Sequence, residues 1–215
     1  MSPRKIFKLL PLIYLIFGVS IFIITTVLSR SDTIGLFILS NVSFFAYIWI
    51  CKFEYSLKSI LVLGIIIRCP LFFDLPNLSD DFYRFFWDGN LIHEGINPYS
   101  LLPTQVTELG LSKFSHEALA QLNSSSYATV YPPLNQFFFW LSTFTIQPLW
   151  SAGILRTFLL LTDISSTLLI YKLTTKTTLS SWFFLNPLLI IEGVGNIHSV
   201  SYTHLRAHET SLHIV

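Results

Sequence analysis

The sequence predicts an all-α, polytopic membrane helix bundle interrupted by one long external loop. Three observations carry that expectation. Hydrophobic residues make up 52% of the 215-residue chain and charged residues only 12%, whereas soluble domains carry about 25% charged residues. Apolar runs recur at residues 9–28, 33–51, 59–73, 152–171 and 179–193, close to the roughly 20 residues that span a ~30 Å hydrocarbon core. Lysines and arginines gather on alternate turns between those runs, as in a chain that crosses repeatedly. The net charge of +1 predicts neither nucleic acid nor acidic partners, and the apolar composition makes membrane lipids the surroundings.

Arg4, Lys5 and Lys8 precede the first run and place the N-terminus in the cytoplasm. That run is longer than the apolar core of a signal peptide and lacks a small-residue cleavage site before Ser31, so it reads as a retained helix. The second run returns to the cytoplasmic side, where Lys52 and Lys58 flank the turn. The third runs outward and carries Arg68. This arginine either snorkels to the outer interface or faces a wet site and helps to hold an anion. Cys51 and Cys69 lie near opposite ends of successive runs, which argues against a disulfide and offers no metal spacing.

Residues 74–151 form the external loop. From Asp74 to Val130 its acids are Asp74, Asp80, Asp81, Asp88, Glu94, Glu108 and Glu117, against only Arg84 and Lys113. That poverty of cations fits an outer location, and a loop this long in a compact protein is usually functional. Residues 131–150 are apolar enough to cross as well. If they cross, Lys172 and Lys176 fall outside. If residues 132–149 lie as a juxtamembrane or re-entrant helix, both lysines fall inside, and the charge rule selects this arrangement. The run 152–171 then goes inward with Arg156 near its outer end and Asp163 near its middle. The run 179–193 comes out again and ends at Gly195-Asn196-Ile197-His198.

Asp80-Asp81 stands just past the end of the third run. Hydrocarbon does not tolerate such a cluster, so it sits in water or a wet pocket. One account is local. Ser79 or Asp80 caps a helix over 81–93 whose apolar face is Phe82, Phe85, Phe86 and Ile92, with Tyr83 and Trp87 at the interface; Gly95 ends it and Asn97-Pro98 turns the chain. Capping explains one acid, but not three acids and an arginine on a helix beside the lipid. Tyr131-Pro132-Pro133 starts a further helix, and Asn186-Pro187 marks a break.

In order, the chain reads L-S-D-D-F-Y-R-F-F-W-D-G-N-L-I-H-E-G-I-N-P-Y, T-V-Y-P-P-L-N-Q, a span bearing Arg and Asp, then N-P-L-L-I-I-E-G-V-G-N-I-H. Over roughly Arg68 to His198 this combination resembles the bacterial branch of the C-type (GT-C) glycosyltransferases, often labelled mannosyltransferases. It is similar, more distantly, to the first mannosyltransferase of glycosylphosphatidylinositol assembly.

The resemblance implies a GT-C-like bundle with juxtamembrane helices in the first external loop. It implies a polyprenyl-phosphate sugar donor, a lipid or glycan acceptor, inversion at the anomeric carbon, and a bacterial cytoplasmic membrane with the site facing outward. Asp80 matches the implied general base. Asp81 matches a second acid that orients the acceptor or, with Asp80, binds a divalent cation; the cofactor is otherwise left open. Tyr83, Arg84, Trp87, Asp88 and Tyr131 match the shoulders of the motifs. Asn196 and His198 match the start of a G-x-x-H-type element, from which Ser199 and Val200 depart. Arg68, Arg84 and Arg156 are candidate partners of the donor phosphate. The rival from another class is a transporter or lipid-binding protein, for which Asp163 and Asn186-Pro187 are the only leanings. Residues 199–215 resemble translated vector or adapter sequence, so residues 1–198 read as the N-terminal part of a longer enzyme, inactive in this length.

Overall fold

The computed structural model describes residues 3–111, 119, 121–122 and 124–198, with side chains from Leu9 onward. Lys113, Glu117 and the expected non-native tail at 199–215 lie outside the described residues. No strand occurs among those described. The helices run α1 (Pro3–Phe22), α2 (Thr33–Ile50), α3 (Leu57–Arg68), α4 (Asp81–His93), α5 (Pro103–Glu108), α6 (Pro133–Ser142), α7 (Pro148–Thr174) and α8 (Thr177–Phe184). Among the described residues three stretches are long and apolar enough to cross a membrane: Leu9–Val27, Thr33–Ile50 and Pro148–Thr174. The protein is an all-α membrane helix bundle, as the composition requires.

The chain divides into two compact units. One comprises Met1–Leu78 and Arg156–Asn196, the other Ser79–Leu155 and the chain from Ile197 onward. In the first unit, α2 starts because Asp32 Oδ1 accepts the Gly35 N–H at 2.9 Å, and α3 because Ser56 Oγ accepts the Ser59 N–H at 3.1 Å. Such caps supply acceptors to N–H groups that a helix start leaves unpaired. The core holds Phe17, Ile21, Ile24, Ile50, Ile60, Phe184, Leu185 and Ile190. Tyr47 donates its hydroxyl to the Trp182 carbonyl at 2.5 Å, with the two rings edge to face.

Two of the expected runs are irregular. The third folds as the twelve-residue α3 and continues as a 3-10 turn over Cys69–Phe73. The fifth breaks at Asn186-Pro187, where Asn186 Oδ1 accepts the Leu188 N–H at 3.0 Å. Beyond the break the chain forms a π-helix, Leu189–Gly195. The first run also ends in a π-helix, Ile23–Val27, where the Thr25 and Thr26 hydroxyls donate to the Ile21 and Phe22 carbonyls at 2.9 and 2.7 Å. This back-bonding occupies carbonyls and bends helices.

In the second unit α4 occupies Asp81–His93, the bounds its flanking signals predict. Gly95 follows with φ +76°, and Ile96 N–H reaches back to the Leu91 carbonyl at 2.9 Å. That is the left-handed helix stop for which glycine carries no Cβ penalty. The buried face differs from expectation. Trp87, expected at the interface, is 2% exposed and packs with Leu91, Val106 and Leu122, because α5, Leu119 and Leu122 cover it. Phe86 and Ile92 are only half-buried.

The ten residues of α6 rise about 15 Å, half of a hydrocarbon core. α6 meets α4 through rings: Phe85 stacks on Phe139 at 4.4 Å, and Tyr131 meets Phe85 edge-on at 4.8 Å. Gly89 allows this approach, since a Cβ there would stand 2.4 Å from the Phe139 carbonyl oxygen and 2.6 Å from Thr143 Oγ1. Backbone cannot yield to that clash. Gly89→Ala is expected to destabilise the protein by about 1–3 kcal/mol, read as a lowered thermal midpoint in detergent.

Candidate functional site

Asp80 occupies the N-cap position of α4, yet its side chain makes no capping hydrogen bond. Ser79 Oγ is nearer that task, accepting the Asp81 N–H at 3.3 Å. The capping account therefore does not consume the Asp80 carboxylate. Asp81 lies in the first turn, where the helix macrodipole favours an anion. Both acids are half-buried.

His198 returns to this place. Its Nδ1 stands 3.6 Å from Asp81 Oδ2, with the side chains 33% and 24% exposed. A pair this open contributes little stability, on the order of 0–1 kcal/mol. Its significance is positional, because it brings His198 to the D-D-F-Y-R motif within one unit. Between Asn196 and His198, Ile197 takes φ +55° and is 1% exposed. A β-branched residue in the left-handed region costs on the order of 1–3 kcal/mol and persists only where its surroundings impose it.

Tyr131 belongs to the same neighbourhood. Burial, then the Asp81 and Asp88 carboxylates, push its phenol above the ordinary range, with Arg84 opposing. The hydroxyl stays protonated through neutral pH and is a donor, not a base.

Arg84 and Asp88 hold each other. Arg84 Nε donates to Asp88 Oδ1 at 2.8 Å across one helical turn. Its Nη1 donates to the carbonyls of Ser124 at 3.0 Å and Tyr127 at 2.9 Å. Asp88 Oδ2 accepts from Gln136 Nε2 at 2.8 Å, and that amide also donates to Thr129 Oγ1 at 3.0 Å. Asp88 is fully buried and Arg84 nearly so. The network ties α4, residues 124–129 and α6 together, and both Asp88 oxygens are occupied by protein donors. Tyr83 is half-buried against the Trp87 cluster.

Arg68, Arg156 and Asn196 belong to the first unit, and all three are buried. Arg68 Nη2 donates to Asp163 Oδ2 at 3.0 Å and Nη1 to the Gly64 carbonyl at 3.2 Å. The Phe184 ring lies 4.4 Å from its guanidinium carbon. A Cβ on Gly64 would fall 2.3 Å from that ring, so glycine makes room for it. Arg156 donates from Nε to the Val194 carbonyl and from Nη2 to the Gly195 carbonyl, both at 2.9 Å, and from Nη1 to the Asp74 carbonyl. The Asn196 N–H bonds to the Ile191 carbonyl at 2.8 Å, and its buried Oδ1 meets no hydrogen-bond donor.

The expected site residues thus fall into two groups. Asp80, Asp81, Tyr83, Arg84, Trp87, Asp88, Tyr131 and His198 share one unit; Arg68, Arg156 and Asn196 share the other. Among the described residues no group of three or more His, Cys, Asp or Glu side chains stands close enough together to hold a metal ion. Sequence reasoning missed Gln136 and Thr129 as partners of Asp88, and Asp163 as the partner of Arg68. Gln136 stands inside the quoted Y-P-P-L-N-Q motif. Asp163 lies two helical turns after Arg156, so period alone put both on one face.

Chemically, the second unit offers two adjacent carboxylates at a helix start, one associated with an imidazole, beside a phenol donor. That set can take a proton from a hydroxyl nucleophile. No curated protein and no solved structure matches the chain. A family model described as alpha-(1->6)-mannopyranosyltransferase, N-terminal domain, matches residues 11–202. The chain therefore belongs to the alpha-(1->6)-mannopyranosyltransferase family and carries the N-terminal domain of a membrane glycosyltransferase.

Proposed function

We propose that the chain is the N-terminal part of an inverting GT-C-type mannosyltransferase. Its donor is a polyprenyl-phosphate mannose and its acceptor a lipid or glycan hydroxyl. The approach of His198 to Asp81 at 3.6 Å carries this reading, because it supports one site built from two distant motifs. On this reading Asp80 is the general base. The acceptor oxygen attacks the anomeric carbon as the carbon–phosphate oxygen bond breaks, and the phosphate leaves with the bonding electrons. The hydroxyl proton passes to Asp80. The leaving group already carries negative charge and needs no acid. A carboxylate nearby also favours an oxocarbenium-like transition state. A single displacement inverts the centre, so an alpha linkage requires a β-linked donor.

Asp81 and His198 orient the acceptor. Arg84 acts through Asp88 and residues 124–127, holding α4 in place and not touching phosphate. The lysine pattern supports a multi-pass chain in a bacterial cytoplasmic membrane, with the acids on the outward side and α6 lying along the surface.

The test is a radiolabelled transfer assay beside a liposome uptake assay. Because the matched family is an N-terminal domain, the assay uses the longer protein that carries the remainder of the enzyme. Mannose is expected to move from a polyprenyl-phosphate donor and not from a nucleotide sugar. Transfer from the nucleotide sugar alone would overturn the donor, and uptake without transfer would overturn the enzyme.

A further inference from the structure

We propose that Arg156 is a positioning residue for the Asp81–His198 pair. The inference rests on the reading of that pair as part of the transferase site, and it removes Arg156 from the candidate phosphate ligands. Arg156 is 2% exposed, and its guanidinium donates to three main-chain carbonyls, those of Asp74, Val194 and Gly195. Those carbonyls belong to two segments remote in sequence. One runs from Asp74 directly into Asp80-Asp81, and the other from Gly195 through Asn196 into His198. One guanidinium thus grips the backbone of both approaches to the pair.

The surroundings make the grip selective. Val194 and Gly195 close a π-helix, a form that leaves carbonyls poorly matched and concentrates at functional sites. A planar fork of donors suits two successive carbonyls, and an ammonium does not. Gly195 packs so closely on the Thr25 side chain that a Cβ would come within 2.9 Å of it, so the segment is also fixed from its other side. Immediately beyond, Ile197 is held at φ +55°, and His198 follows. A strained residue there needs an anchor just upstream, and Arg156 supplies it.

The test is crosslinking in membranes. Asp81→Cys and His198→Cys are combined in a Cys51→Ala, Cys69→Ser background and joined with a short bis-maleimide. The control is His93→Cys with Phe144→Cys, whose rings lie 4.7 Å apart in the same unit as the pair. Arg156→Gln is expected to lower the Asp81/His198 crosslink about tenfold, the scale of losing charge-assisted hydrogen bonds to buried carbonyls. The control crosslink stays as it was, and the thermal midpoint falls without loss of folding. Arg156→Lys keeps the charge but not the fork, and is expected to lose about threefold. An unchanged Asp81/His198 crosslink in Arg156→Gln overturns the proposal, as does loss of both crosslinks together with the midpoint. If Arg156→Gln fails to fold, Arg156→Lys decides: a crosslink at the unsubstituted level overturns the proposal. The readout needs no sugar donor, so its failure is distinct from failure of the transferase assignment.

Discussion

Asp80→Asn in the full-length enzyme is expected to cut mannosyl transfer by about 10²–10⁴-fold, the usual contribution of a general base. Asparagine keeps the size and polarity of the side chain but cannot accept the acceptor's proton. The start of α4 should persist, because Ser79 stands at the Asp81 N–H. Membrane insertion and the thermal midpoint are therefore the controls. Asp81→Asn should lower transfer less, mainly through acceptor affinity, and His198→Ala should resemble it, since the two side chains meet. An Asp80→Asn enzyme that turns over at the parent rate removes Asp80 as base. One in which Asp81→Asn is the more damaging change transfers the role to its neighbour.

Breaking the Arg68–Asp163 pair is the second large effect. Both side chains are buried, at 0% and 5% exposure, so either single change leaves a charge without its partner. Arg68→Leu or Asp163→Leu is expected to destabilise by about 3–5 kcal/mol, and the double variant to recover most of it. The recovery should fall short, because Arg68→Leu also gives up the guanidinium–ring contact with Phe184, worth about 2 kcal/mol when desolvated. Unfolding in mixed micelles measures the cycle. The double variant should keep the donor KM of the parent; a raised KM would return Arg68 to the substrate.

The parts of this molecule that were legible in sequence are those whose causes are local. The bounds of α4 follow from Ser79, the acid in its first turn, Gly95 and Asn97-Pro98, all within reach of the helix they delimit. The break at Asn186-Pro187 and the helix start at Tyr131-Pro132-Pro133 are local in the same sense. The three arginines were harder. An intramembrane or lipid-proximal cation reads by default as a functional group, and a phosphate donor makes that reading attractive. What decides it is the partner. Asp163, the charge partner of Arg68, and the acceptors of Arg156 lie far away in the chain, and for Arg156 they are main-chain carbonyls with no sequence identity at all. Arg84 is different: its i,i+4 spacing to Asp88 was on the page, and only the burial that commits the pair to each other was not. The two π-helices left no composition signal.

A π-helix closes its rings one residue later than an α-helix, so Leu189–Gly195 is a place where the chain has absorbed extra length without a loop. An α-helix advances about 100° and 1.5 Å per residue. Removing a residue from this stretch would let it relax to the commoner form and swing everything after it through roughly that angle. His198 would then point elsewhere with every side chain chemically intact. Helical phase, more than residue identity, thus aims the histidine at Asp81, and homologues that differ by one residue here would differ in the direction of His198.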